Sequence, residues 1–214
     1  MRHESKYLDL RLCDNMQLMA QYPDKHFELA ICDPPYGIGA TKKMGVNKKK
    51  GYNPEPWAGG AWDSEPPPKE YFDELFRVSK NQIIWGGNYF ELPPTRCFLI
   101  WDKKQRIDQA DCEMAWTSFK SSARIFDYWN SKLIGFMNPN RFHPTEKPIA
   151  LYKWLLDKYA KVGDKILDTH LGSGSIAIAC HDYKYHLTAC ELDSDYFAAM
   201  QTRVENHLKQ SVLF

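Results

Sequence analysis

The sequence predicts an α/β fold: an open, mostly parallel sheet with helices on both faces and some antiparallel structure in its middle. Three observations carry this. Short apolar runs such as FELAIC (27–32), QIIWGG (82–87) and KILD (165–168) have the density of strands covered on both faces. They alternate with longer stretches of helical period. Two of them end on an aspartate followed at once by Pro- or Gly-rich turns, DPPYGIG and DTHLGSGS, as strands do where they deliver a site.

In chain order, YLDLRLC (7–13) reads as a strand and hands over to a helix opening at Asp14 or Asn15, both good caps. FELAIC follows. From Gly37 to Pro68 glycines, prolines and lysines replace any apolar periodicity, which marks a long functional loop. KEYFDELFRVS (69–79) is an amphipathic helix with apolar positions at 72, 75, 76 and 78, and QIIWGG is the next strand. CFLIW (97–101), CEMAWTSF (112–119) and RIFDYW (124–129) read as further strands, the first two joined by the charged DKKQRIDQAD. Pro148 opens a helix to about Ala160, KILD is a strand, SGSIAIACHDY begins a helix, HLTACELD (186–193) is the last strand, and a final amphipathic helix is capped at Ser194.

The chain of 214 residues suits a single domain, 1–214. With 28 basic and 27 acidic residues the formal charge of +1 names no partner, so charge distribution must carry that argument. Cys13, Cys32, Cys97, Cys112, Cys180 and Cys190 lack C-x-x-C spacing and MRHESKYLDL has no apolar signal region, which predicts a reduced, cytoplasmic protein with buried free thiols. No apolar stretch is long enough for a membrane span.

Asp33-Pro34-Pro35-Tyr36 is the sharper signal. Both prolines fix φ, lack an N–H and push their predecessors out of the helical region, so the Asp33 and Pro34 carbonyls are rigid acceptors. A carboxylate, a fixed carbonyl and an aromatic face at a strand end can accept hydrogen bonds from a flat, amino-bearing ring. In DTHLGSGS, Gly172 and Gly174 permit close approach of a ligand, and the helix N-terminus offers free N–H groups. Glu191 ends the next strand 19 residues after Gly172, about the separation at which an acid meets ribose hydroxyls in dinucleotide folds. The lysine of a phosphate-binding P-loop is missing, which points to an adenosine-bearing ligand with a terminal carboxylate rather than a triphosphate.

With DPPY at 33–36, HPTEKP at 143–148 and DTHLGSGS at 168–175, the chain resembles the beta class of S-adenosylmethionine-dependent DNA adenine methyltransferases, in which the catalytic motif precedes the cofactor glycine motif. The resemblance implies a Rossmann-like, mostly parallel seven-stranded methyltransferase sheet in which the strands ending at Asp33 and Asp168 lie side by side. It assigns catalysis to Asp33, Pro34, Pro35 and Tyr36, with Tyr36 stacking on a flipped adenine. It assigns S-adenosylmethionine to Asp168, Gly172, Ser173, Gly174, Ser175, Glu191 and Asp33, with Thr145 and Lys147 on the methionine carboxylate. Thr169 and His170 replace the proline and aromatic of many relatives, so no aromatic wall for the cofactor adenine is carried over.

Double-stranded DNA is the expected partner. Lys42, Lys43, Lys48, Lys49 and Lys50, followed by Tyr52 and Trp57, suit phosphate contacts in a loop over 37–68, and a small target-recognition region is expected around 102–142. Many relatives are dimers. Trp85, Trp101, Trp116 and Trp129 read as core or ligand wall, and His170, His181 and His186 form no metal set, so no metal is expected. Three other readings stand: a cytosine 4-amino DNA methyltransferase, an RNA or protein amide methyltransferase, and a DNA-binding module with a dead methyltransferase core.

Overall fold

In the computed structural model, residues 1–39, 63–104, 110–129 and 146–211 are described. The strands are β1 (Arg2–Glu4), β2 (Leu8–Leu12), β3 (Phe27–Cys32), β4 (Ser79–Trp85), β5 (Phe98–Asp102), β6 (Cys112–Thr117), β7 (Arg124–Asp127), β8 (Lys165–Asp168) and β9 (His186–Glu191). The helices are α1 (Asn15–Met19), α2 (Lys69–Val78), α3 (Ile149–Tyr159), α4 (Ser175–Tyr183) and α5 (Ser194–Ser211). The nine strands of the described residues join one sheet of order β1-β2-β9-β8-β3-β4-β6-β5-β7.

The expected seven-stranded sheet is therefore corrected to a nine-stranded mixed one. Its centre, β2-β9-β8-β3-β4, is parallel. β6 runs antiparallel to both β4 and β5, and β1 antiparallel to β2. The polar β1 carries no apolar pattern. Its pairing with β2 is backed instead by the Arg2 Nε to Asp9 Oδ1 contact of 2.7 Å.

Alternation along the central strands sends side chains to two separate cores. Leu29 and Ile31 of β3, Ile83 and Trp85 of β4, and Ile166 of β8 pack with α3, α4 and α5. Ala30 and Cys32, Ile84 and Leu167 pack with Leu18 and Met19 of α1 and with Tyr71, Phe72, Leu75 and Val78 of α2. Helices thus cover both faces, as the unbroken apolar strands required. Burying each large apolar side chain of α2 contributes about 1.5–3 kcal/mol.

Cap details differ from expectation in one place. Asp14 caps α1, accepting from Gln17 N at 3.0 Å, as its position implied. The cap of α5 is Asp193 rather than Ser194: its Oδ1 accepts from Asp195 N at 2.8 Å and Tyr196 N at 3.0 Å.

All six cysteines are free, with Cys32, Cys97, Cys180 and Cys190 buried but Cys112 exposed. Trp85, Trp101 and Trp116 are core, whereas Trp129 is 60% exposed. No described helix is long and apolar enough to cross a membrane.

One consequence of the strand order positions everything below. β3 and β8 are parallel neighbours, in register at Leu29↔Ile166 and Ala30↔Leu167. From β3 the chain proceeds to β4 on one side, and from β8 to β9 on the other. The crevice at this switch point lies between the strand ends that deliver Asp33 and Asp168.

Candidate active site

Asp33 leaves β3 with both carboxylate oxygens engaged. Oδ1 accepts the Tyr36 hydroxyl at 2.7 Å, and Oδ2 accepts the Lys147 ammonium. Lys147 is buried and also pairs with Glu113 Oε2 at 3.0 Å, while Glu113 Oε1 receives Lys103 at 2.6 Å. The ammonium lies 5.3 Å from the Trp85 ring centroid. The result is a chain of alternating charge, Asp33, Lys147, Glu113, Lys103, in which Lys147 is buried and the others half-buried.

Burial pushes the Asp33 carboxyl above its usual range; Lys147 opposes this, and the charge of Glu113 adds to the rise. Burial alone would depress Lys147, but Asp33 and Glu113 outweigh it and hold its ammonium above the usual lysine value. Burial likewise works against ionisation of Glu113, yet Lys147 and then Lys103 bring it down to about 2. Lys147 therefore keeps its proton.

The Asp-Pro-Pro-Tyr turn is pinned by a residue the sequence did not single out. Buried Asp63 accepts Tyr36 N at 2.8 Å and Gly37 N at 2.9 Å through Oδ1, and its carbonyl accepts Gly39 N at 3.0 Å. The Tyr36 ring stacks on Tyr89, with centroids 5.0 Å apart and planes 14° apart, and Tyr89 is 46% exposed. This modifies the expectation for Tyr36, which anchors Asp33 through its hydroxyl and shares its aromatic surface with Tyr89.

Across the switch point, Asp168 is buried and accepts His170 N at 3.0 Å. Its carboxyl is pushed up to about 8 by burial, with Asp33 and Glu191 adding to the rise and the His170 N–H opposing it. That rise favours its protonated form, which eases its repulsion of Asp33. The Thr169 hydroxyl meets the Tyr71 hydroxyl at 2.7 Å and His170 Nδ1 at 3.0 Å, and the His170 ring sits edge-on to Tyr71. Burial lowers His170 to about 4, leaving the imidazole neutral.

Gly172, at φ +50°, donates its N–H to Glu191 Oε2 at 2.8 Å. Glu191 Oε1 accepts Leu192 N at 2.9 Å and Asp193 N at 3.0 Å, so the carboxylate is fixed by backbone. A carboxylate oxygen has two lone pairs, and Oε2 keeps capacity for a hydroxyl. That set fits an adenosine ribose.

Gly174 also answers to packing: at φ +75°, a Cβ there would lie 2.5 Å from Met200 Cγ, so its bareness admits α5. Ser173 and Ser175 are buried too, and Arg203 of α5 donates to the Ser173 carbonyl at 2.7 Å and the Ser175 hydroxyl at 3.1 Å. The other Arg203 nitrogen holds Glu146 at 2.7 Å, so one guanidinium joins the glycine loop to the residue before Lys147.

Lys147, expected on the cofactor's carboxylate, is thus found between two acids of the protein. Thr145 and the lysines at 42, 43, 48, 49 and 50 lie outside the described residues. Glu113, Asp63, Tyr89 and Arg203 are the additions that the geometry makes. His181, Asp182 and His207 cluster on α4 and α5, where Asp182 is ion-paired to Lys153 at 2.6 Å and to His207 at 2.7 Å.

A parallel-centred sheet with a cluster of charged side chains and a glycine loop at its switch point is an arrangement able to hold a nucleotide-bearing cofactor. The profile of the N6/N4 DNA methylase family matches residues 99–202. The candidate methylase YubD of Escherichia coli (strain K12) is 22% identical over 210 residues, 89% of this chain and 87% of that protein. The type II methyltransferase M.HpaI of Haemophilus parainfluenzae is 28% identical over 79 residues, 36% of this chain and 25% of that enzyme. Among solved structures, the M1.HpyAVI complex with S-adenosylmethionine aligns at a TM-score of 0.58 and 17% identity, covering 92% of this chain and 99% of that one. The cytosine-N4-specific PvuII DNA methyltransferase aligns at 0.60 and 13%, covering 95% and 90%. The structural likenesses establish the fold, and with the family match they support a DNA methyltransferase.

Proposed function

We propose that the chain transfers a methyl group from S-adenosylmethionine to the 6-amino group of adenine in double-stranded DNA. The observation that supports this reading is the placement of the Asp33 carboxylate beside the strand end that bears Asp168 and the glycine loop. Glu191 would hold the ribose hydroxyls, and the Gly172 turn would admit the cofactor, which supplies an electrophilic methyl group. Replacing Glu191 with glutamine should weaken S-adenosylmethionine binding roughly tenfold to a hundredfold by calorimetry, the loss of one charged hydrogen bond.

An adenine amino nitrogen is a poor nucleophile because its lone pair is delocalised into the ring. When the Asp33 carboxylate and the Pro34 carbonyl each accept one amino hydrogen, the nitrogen is held toward tetrahedral and its lone pair is aimed out of the ring plane. The base must first leave the duplex stack, at a cost of a few kcal/mol. The lysines of the 37–68 loop are proposed to hold phosphates, which makes affinity fall with salt.

Asp33 must be ionised to accept. Since burial raises its carboxyl, the proposed activity is absent at low pH and rises through a limb above the usual carboxylate range. A kcat/KM profile against pH in which the limb vanishes in no Asp33 variant and sits at an ordinary carboxylate value would count against this assignment.

A second reading has specific support: the fold match to a cytosine-N4-specific enzyme extends over 95% of the chain. Labelled methyl transfer to unmethylated duplex DNA, followed by mass spectrometry of the nucleosides, separates the two. N6-methyladenine bears out the proposal. N4-methylcytosine keeps the reaction class and overturns the base assignment, and no transfer to DNA sinks both.

A further inference from the structure

Each Asp33 oxygen already accepts one donor, Tyr36 on Oδ1 and Lys147 on Oδ2. A lone pair remains on each, but an ammonium on Oδ2 draws charge from the very acceptor that a base amino group would use. The Tyr36 ring is fixed by its stack on Tyr89 and by Gly86 beneath it. Lys147 has an alternative: Glu113 lies on its other side at 3.0 Å. A buried ammonium can leave one carboxylate only if another keeps it paired, because an unpaired buried charge is strongly disfavoured.

We propose that Glu113 is a positioning residue that draws Lys147 off Asp33 when the target amino group enters, so that the lysine alternates between the two acids. This rests on the proposed function and deepens it. Glu113 itself stays in place because Lys103 holds its other oxygen at 2.6 Å, so the ammonium, not the acid, is the moving part. Charge is conserved during the exchange: Asp33 trades an ammonium for an amino N–H donor, and the Lys147–Glu113 contact tightens.

The test uses Glu113→Gln and Lys103→Met in the full-length chain. With Glu113→Gln, Lys147 has Asp33 as its single remaining acid, so kcat should fall roughly tenfold or more while S-adenosylmethionine affinity changes little. The acid limb of kcat/KM should at the same time move to lower pH. The titratable groups facing Asp33 are Lys147, Tyr36, Glu113, Asp168 and Tyr152, and removing the Glu113 charge removes an influence that raises Asp33. A slower enzyme with its acid limb at lower pH is the signature, since a loosened fold slows the enzyme without moving the limb in that direction.

Lys103→Met leaves Glu113 less neutralised and should shift the limb the opposite way, to higher pH. Lys103 is at the outer end of the chain of charges, so this variant tests the idea even if Glu113→Gln folds poorly. Wild-type kcat in Glu113→Gln, or limbs that shift together in the two variants, overturns the proposal. Full activity of an Asp33 variant would instead overturn the proposed function on which it depends.

Discussion

Asp33→Asn should lower single-turnover methyl transfer by roughly 10²–10³-fold, the usual loss when one polar group aimed at the reacting centre is removed. The amide has the same volume, so the turn held by Asp63 stays in place. What changes is the acceptor set. An amide offers one oxygen where the carboxylate offers two, and the charge facing Lys147 is gone, leaving Glu113 as the sole anion of that lysine. S-adenosylmethionine binding, read by calorimetry, should persist, because Glu191 and the Gly172 turn are held by their own backbone contacts. Wild-type turnover in Asp33→Asn would remove the central residue of the mechanism.

Gly86→Ala should cost both stability and activity. Gly86 has φ +71°, and a Cβ there would stand 2.1 Å from Cε1 of Tyr36, closer than any real contact. The backbone is itself fixed, with Gly86 N bonded to Met114 O at 2.9 Å and Tyr89 N bonded to Gly86 O at 2.8 Å. The ring must therefore move, losing its hydroxyl bond to Asp33 and its stack on Tyr89. Strain and overpacking together cost about 2–4 kcal/mol, and each kcal/mol lowers Tm by about 2–4 °C in a chain of this size. Gly163→Ala is the matched control. Its φ of +92° is strained for alanine, but nothing lies within 4 Å of the added Cβ, so it should lower Tm modestly and leave methyl transfer at the wild-type rate. Equal turnover in both variants would show that Tyr36 does not need its place.

These two results probe residues that differ in how visible they were in the sequence. Asp33 and Tyr36 stand in a turn whose two prolines announce themselves, and Asp168 and Gly172 follow a short buried run that stops abruptly. Such signals are local, so the sheet centre and the helices on both faces were legible, whereas the neighbouring of the two strand ends was implied by the family resemblance.

Glu113 was not. In CEMAWTSF it looks like the wet side of an alternating strand, and only the arrival of Lys147 from a distant part of the chain reveals its place in the site. The family resemblance assigns Lys147 to the cofactor carboxylate, and nothing in HPTEKP shows that Asp33 and Glu113 converge on it. Nothing in the local sequence marks Arg203 as joining the glycine loop to Glu146. β1 escaped notice because backbone pairing and one Arg–Asp contact, rather than any apolar pattern, hold it. The cap of α5 moved by one residue because Asp193 and Ser194 are chemically equivalent candidates and only geometry chooses.

The Arg203 guanidinium has a bearing on how the molecule fails under stress. It is the rivet between α5, the glycine turn and the segment that carries Lys147. A contact that joins three segments fails as one, so Arg203→Met should loosen the glycine turn and the Lys147 segment together while the sheet pairings stay whole. Methyl transfer in that variant should then fade several degrees below its circular-dichroism midpoint and return on cooling. One side chain would act as the thermal fuse of the site.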